Sequence, residues 1–185
     1  MKQHGPWQIK SSTVKYKNSW LSLKEDEVIQ PDGTNGVFGV VSTLTGQGVA
    51  ILALGEGDFV YLAKEFRYAA GKQSLEVVSG GVNQNEEPLI AAKRELKEEL
   101  GITAGNWVEL GLVEPLTSFV SLKVNLFLAR ELTFGKPEPD SNEKIEMVKI
   151  KLGDALKMIF NNEITHSETC ALILKANEYL KREQQ

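Results

Sequence analysis

The hydrophobic period changes several times along this chain, and each change marks an element. Residues 12–30, STVKYKNSWLSLKEDEVIQ, alternate in two short pieces, Val14 with Tyr16 and Leu21 with Leu23, and the phase slips near Asn18 and Ser19. The pattern predicts two strands with a turn or bulge between them. PDGTNG at 31–36 is a turn, and VFGVVSTL at 37–44 is the next strand. GVAILAL, the short turn GEGD and FVYLAKEF, together residues 48–66, read as a buried hairpin. QSLEVVSGGV at 73–82 is a further short strand that ends in glycines. Beyond it the spacing shifts to three and four. Leu89, Ala92, Leu96 and Leu100 form one apolar stripe, Pro88 suits the first helical position and Gly101 the position just past the end, so a helix is predicted over 88–100. VELGLVEPL (108–116), KVNLFLARE (123–131) and IEMVKIKL (145–152) return to strand, with the polar loop FGKPEPDSNEK before the last of them. Two helices close the chain, GDALKMIFN and THSETCALILKANEYLKRE, the second opening with Thr165 and Glu168 at capping-box spacing. β-rich sequence, one helix, more β and two helices point to an α+β fold, a mixed sheet with helices packed on it.

At 185 residues the chain suits one domain, or one domain with an appendage, and is long enough for a real core. The net charge of −4 argues against a nucleic-acid surface, which needs a basic face. No run approaches the roughly 18 apolar residues of a membrane span, and the first residues, MKQHGPWQIK, lack the apolar stretch of a signal peptide. Cys170 is the single cysteine, so an intrachain disulfide is excluded and a cysteine-based zinc site is not expected. A cytoplasmic protein with no nucleic-acid or membrane partner is the simplest expectation.

The chemistry is concentrated in residues 79–102, SGGVNQNEEPLIAAKRELKEELGI. Glu95, Glu98 and Glu99 share a helix face beside the apolar stripe. Like charges at these spacings repel by a few tenths of a kcal/mol per pair, roughly, unless something positive joins them. A solvated face balanced by Lys93, Arg94 and Lys97 is the plain alternative. The oxygen-rich set suits a hard divalent cation such as Mg²⁺.

The surroundings decide between these. Gly80, Glu86, Arg94-Glu95-Leu96, Glu98-Glu99 and Gly101-Ile102 match every defining position of the pattern G-x5-E-x7-R-E-U-x-E-E-x-G-U, in which U is apolar. This segment resembles the Nudix box, and the chain resembles the Nudix hydrolases. The resemblance implies the Nudix fold, a mixed β-sheet sandwiched between helices, here with an N-terminal β-rich segment. It implies hydrolysis of a nucleoside diphosphate linked to another group, with Mg²⁺ as cofactor and Mn²⁺ as a substitute. Glu95, Glu98 and Glu99 would be metal ligands, joined by the Ser79 carbonyl, and Glu98 and Glu99 would be catalytic. Gly80, Glu86, Arg94 and Gly101 would be structural, Arg94 and Glu86 forming a pair that orients the helix. Two glycines precede the loop, and counting back from Glu86 assigns the box position to Gly80.

The whole chain is similar to one branch, the ADP-ribose and nucleoside-diphosphate-sugar pyrophosphatases. The similarity runs through YLAKEFRYAAGKQSLEVVSGG, the N-terminal Trp, Lys and PDG region, EPLTSFVSLKVNLFLARE and the C-terminal helices. From it, Arg67 would bind the phosphate or terminal-ribose region of the substrate, a task suited to a planar guanidinium. Glu76 would be a second substrate-side residue and would help organise the metal site. Trp7 and Phe38 fall where relatives hold the base between aromatic rings, with Phe38 contributed by the partner subunit of a homodimer. The N-terminal segment, 1–45, would carry dimerisation and base contacts, and 46–185 the hydrolase domain. The general base would be a glutamate of the loop before the last strand, Glu143 first and Glu146 second. Trp20 and Trp107 read as packing, and His4 and His166 receive no role.

Two departures bear on the substrate. The branch's E-L-P-A-G is Glu76-Val77-Val78-Ser79-Gly80 here, and the proline associated with ADP-ribose preference falls near Thr117, two residues after Pro115. The expected activity is therefore hydrolysis of nucleoside diphosphate sugars including ADP-ribose. An ADP-ribose-specific pyrophosphatase and a non-catalytic nucleotide-sugar sensor are the alternatives.

Overall fold

In the computed structural model, residues 1–138 and 144–184 are described, and the chain divides into two compact units. The first comprises Met1–Gln47 with Glu114–Lys123, the second Gly48–Val113 with Val124–Gln185.

Unit 1 is an antiparallel meander. Strand β1 (Lys2–His4) pairs β2 (Trp7–Lys17), β2 pairs β3 (Leu21–Ile29), and β3 pairs the first part of β4 (Asn35–Gly55). The phase slip at Asn18 is the β2–β3 turn. Its side-chain oxygen accepts the N–H groups of Trp20 and Leu21, each at 2.8 Å, an Asx device that closes the corner. The segment 114–123 joins this unit through the Val41 N–H, which donates to the Phe119 carbonyl at 2.8 Å.

Strand β4 corrects a reading from pattern. Residues 37–44 and 48–54 are one strand of 21 residues, not two. The Thr45-Gly46-Gln47 interruption is a bend within it. Gly46 takes φ +67, and its N–H donates to Thr43 Oγ1 at 3.1 Å, so the strand turns without ending.

In unit 2 the second part of β4 pairs β5 (Phe59–Arg67) and β7 (Val78–Gly81). β5 also pairs β6 (Lys72–Glu76) and β10 (Glu146–Lys151), and β8 (Ile102–Val113) pairs β9 (Val120–Phe134). Helix α1 (Pro88–Leu100) packs against β7 and β8, and α3 (Ser167–Glu183) against β8 and against α2 (Leu152–Phe160). The unbroken apolar run GVAILAL marks a strand covered on both faces. Val49, Ile51 and Ala53 join Ala92, Leu96 and Leu100 of α1 in one core. The alternate residues Ala50, Leu52 and Leu54 are also buried, as are Leu172, Ile173 and Ala176 of α3, so the sheet of this unit is enclosed between helices.

Three expectations about packing need correction. Leu89 is exposed, and Ala91 completes the buried face of α1 instead. Val14, Tyr16 and Trp20 are exposed in the single chain. Thr165 and Glu168 form no capping box. His166 is the N-cap residue of α3, no side chain caps that end, and Glu168 bonds His166 and Ser167.

Candidate active site

The acidic helix is held by its own arginine. Arg94 grips Glu86 at two points, Nε to Oε1 and Nη2 to Oε2, each at 3.0 Å. Its Nη1 donates to Glu95 Oε1 at 2.7 Å and to Glu98 Oε2 at 3.1 Å, and Nη2 donates to the Gly81 carbonyl at 3.0 Å. One guanidinium thus fastens the glycine strand, the loop and the helix together, which the planar fork of arginine permits and a lysine would not. Glu86 Oε2 also accepts the Asn83 N–H at 2.8 Å. The Arg94 hydrogen bonds hold the Glu86 carboxyl below its ordinary pKa, and the Glu86 bonds raise that of Arg94 above its own. Arg94→Met keeps the stem and leaves Glu86 without its fork. The expected loss is about 1–3 kcal/mol of unfolding free energy, measured by urea denaturation.

Both box glycines with structural assignments are explained by close approach. A Cβ at Gly80 would fall on the Glu95 carboxyl group, whereas at Gly81 it would meet open space. At Gly101, φ is +66 and the N–H caps α1 through the Leu96 and Lys97 carbonyls. A side chain there would also press on the backbone of residues 135–137, the nearest atom being Pro137 N at 2.6 Å. The Glu138 N–H donates to the Glu98 carbonyl at 2.8 Å, so the segment after β9 is tied to the end of α1.

Among the described residues no group of three or more His, Cys, Asp and Glu side chains is arranged as a metal cage; Arg94 bridges Glu95 and Glu98. The donors nonetheless fit a hard divalent cation. They are carboxylates on one helix face, and the missing Cβ of Gly80 leaves the Glu95 carboxylate its place. Ser79 lies on β7, next to Gly80 and opposite Ala50.

Arg67, at the end of β5, donates from Nε (3.1 Å) and Nη2 (2.7 Å) to one oxygen of the buried Glu76, and Nη2 lies 2.6 Å from Glu65 Oε1. Glu99 acts on the same guanidinium electrostatically. Burial lifts the Glu76 pKa, but the Arg67 and Ser74 hydrogen bonds outweigh it and hold the carboxyl below its ordinary value. His166, given no role from sequence, belongs to this cluster. Its Nδ1 is 2.9 Å from Thr169 Oγ1 and 3.4 Å from Glu76 Oε2, and its Nε2 is 2.9 Å from Glu168. The spacing of Thr165 and Glu168 pointed to a cap and masked this second arrangement.

In unit 1, a cavity of about 740 Å³ is lined by Trp7, Phe38, Lys24, Asp26 and Thr117 among others. Trp7 and Phe38 meet edge to face with centroids 5.7 Å apart, which leaves no slot between them for a base within one chain. Asp26 is buried, 2.5 Å from Ser12 Oγ and 2.8 Å from Lys24 Nζ. Its place in the run KEDE carried no signal that distinguished it from solvated neighbours. Glu146 begins β10 and is exposed, 3.3 Å from Lys64, and Glu143 lies outside the described residues.

Comparison with known proteins adds to this geometry. The family description "NUDIX domain" matches residues 44–168, and "Nucleoside diphosphate sugar hydrolase N-terminal domain" matches residues 7–41. An ADP-ribose pyrophosphatase of Bacillus subtilis is 32% identical over 127 residues, covering 68% of this chain and 69% of that protein. An ADP-ribose pyrophosphatase of Mycobacterium tuberculosis is 27% identical over 177 residues, covering 94% and 84%. A crystal structure of an ADP compounds hydrolase superposes with a TM-score of 0.84 at 20% identity, over 99% of this chain and 98% of that one.

Proposed function

The chain belongs to the Nudix hydrolase family, and from that premise we propose that it hydrolyses the pyrophosphate bond of nucleoside diphosphate sugars, ADP-ribose among them. The products are a nucleoside monophosphate and a sugar phosphate, with one water consumed. The observation that carries this is the intact box, with Arg94 binding the glycine strand and loop to the helix that presents Glu95, Glu98 and Glu99.

Enzymes of this kind depend on a divalent metal; we take it to be Mg²⁺, replaceable by Mn²⁺ and held by Glu95, Glu98, Glu99 and the Ser79 carbonyl. When bound, it supplies positive charge against the pyrophosphate oxygens and makes a water more acidic. The residues of the chain do the rest by position and charge. Arg67 meets a phosphate oxygen with its guanidinium, and Glu76 fixes the direction of that guanidinium. The Arg94–Glu86 pair keeps the helix in register with Gly80. Glu143 is the candidate to take the proton of the attacking water.

Residues 1–45 are assigned to base contacts and dimerisation, and 46–185 to the hydrolase domain. Trp7 and Phe38 would supply aromatic surface to the base, Phe38 from the second subunit. The exposed Val14, Tyr16, Trp20, Val37 and Leu44 support an interface between two copies. No described helix is long and apolar enough to cross a membrane, and a cytoplasmic enzyme remains our reading.

The test is turnover with Mg²⁺ on ADP-ribose, ADP-, UDP- and GDP-sugars, a deoxynucleoside triphosphate and a dinucleoside polyphosphate. Comparable rates on several sugar nucleotides are expected, because Thr117 and Ser79 stand where a stricter enzyme has other residues. A rate confined to ADP-ribose would establish the narrower pyrophosphatase. Binding of ADP-ribose with no turnover on the panel would refute hydrolysis and leave a sensor.

A further inference from the structure

We infer that His166 is a positioning residue for Arg67, acting through the Glu76 oxygen that both side chains share. The inference rests on the proposed contact between Arg67 and a substrate phosphate. Glu76 Oε2 receives both Arg67 donors and lies 3.4 Å from His166 Nδ1. The other constraints hold the imidazole in place. Thr169 Oγ1 sits 2.9 Å from Nδ1 and accepts the Val77 N–H at 3.0 Å, while Glu168 lies 2.9 Å from Nε2. Side chain and sheet are therefore linked. Val77 follows Glu76 directly, so the hydroxyl that fixes His166 also fixes the strand that carries Glu76.

The groups facing His166 come from three elements. β5 brings Arg67, whose Nη2 is 2.6 Å from Glu65 Oε1, and β6 brings Glu76. Lys72, also on β6, is held nearby, 3.4 Å from Thr165 Oγ1. α3 brings Glu168, Thr169 and Cys170, whose N–H donates to the His166 carbonyl at 3.0 Å. Burial lowers the His166 pKa and Arg67 opposes its charge, but the Glu168 hydrogen bond and the charges of Glu168 and Glu76 prevail, so it lies above its ordinary value. Burial lifts the Glu168 pKa, but the His166 and Ser167 hydrogen bonds and the His166 charge together draw it down to about 2.

The sign of the effect follows from sharing. A protonated His166 places a positive charge 3.4 Å from Glu76 Oε2 and competes with Arg67 for that oxygen's charge. The guanidinium then keeps more of its positive charge for a phosphate. Loss of the proton leaves more of that oxygen's charge to Arg67 and weakens the phosphate contact. Substrate affinity should accordingly be higher on the acid side of the His166 titration and fall as pH rises through it. By reciprocity, bound substrate raises the His166 pKa by the same coupling.

The experiment combines kinetics with histidine NMR, since the chain has only two histidines, His4 and His166. In the wild type, KM for ADP-ribose is expected to rise about fivefold through the His166 titration with kcat nearly constant across the same interval. His166→Gln should show the high KM at every pH, with the step abolished and kcat within about twofold of the wild type. Glu168→Gln keeps the imidazole and removes its nearest carboxylate, so the step should move to lower pH. A step that survives His166→Gln, or a wild-type KM that is flat across the measured His166 titration, overturns the inference. NMR of Arg67→Gln tests the coupling without any substrate. Removing the arginine should raise the His166 titration by about half a pH unit or more, and an unmoved titration likewise overturns it. If no substrate of the panel is hydrolysed, the functional proposal fails by itself and this titration alone decides the role of His166.

Discussion

Replacing Glu98 and Glu99 together by glutamine is expected to lower kcat by about 10³-fold or more. Glutamine keeps the size of each side chain and removes two negative charges from the face that is to hold a cation. The fold should survive. Glu98 is exposed enough to tolerate the change and contributes one of several Arg94 bonds, while Glu86 and Glu95 keep theirs. Thermal unfolding should move by only a few degrees, the scale of about 1 kcal/mol in a chain of this size. Steady-state kinetics on ADP-ribose with saturating Mg²⁺ checks the prediction, and turnover within a few-fold of the wild type would dispose of the metal-site assignment.

The second large effect is expected at Gly80. An alanine methyl there would occupy the place of the Glu95 carboxyl group. The backbone itself raises no objection, because Gly80 does not take a positive φ. The whole effect therefore falls on Glu95 and, through Nη1, on Arg94. A carboxylate displaced by the width of a methyl group is expected to cost about 10²-fold in turnover, the scale associated with misplacing a reacting group by roughly 1 Å. Gly81→Ala is the control. Its Cβ meets nothing within 4 Å, so activity should stay within about twofold. Equal losses at the two positions would show that strand flexibility, not room for Glu95, is what the glycines provide. The comparison also resolves the choice between adjacent glycines, which the sequence settles only by counting back from Glu86.

Helix α1 was legible from end to end because its signals are local. Pro88 opens it, Gly101 caps it, and the three-and-four spacing fixes which side is apolar. The enclosed strand β4 was legible in part: an unbroken apolar run implies two covered faces, but the bend at Gly46 looks like a strand end when only the pattern is read. At Leu89 the periodicity misled, since a position on the apolar stripe is buried only if something is there to cover it.

The sequence by itself determined the family and the acidic face of α1, because both depend on spacings within a few helical turns, where 3.6 residues per turn converts order along the chain into geometry. Tertiary structure alone decided the partners. Thr169 reaches the Val77 N–H across 92 residues, and Arg67 and His166 converge on Glu76 from separate elements. Periodicity assigns a side chain to a face, but the group opposite that face is chosen by how distant segments pack. A histidine that looked idle in the sequence therefore comes to lie against the same carboxylate that Arg67 grips.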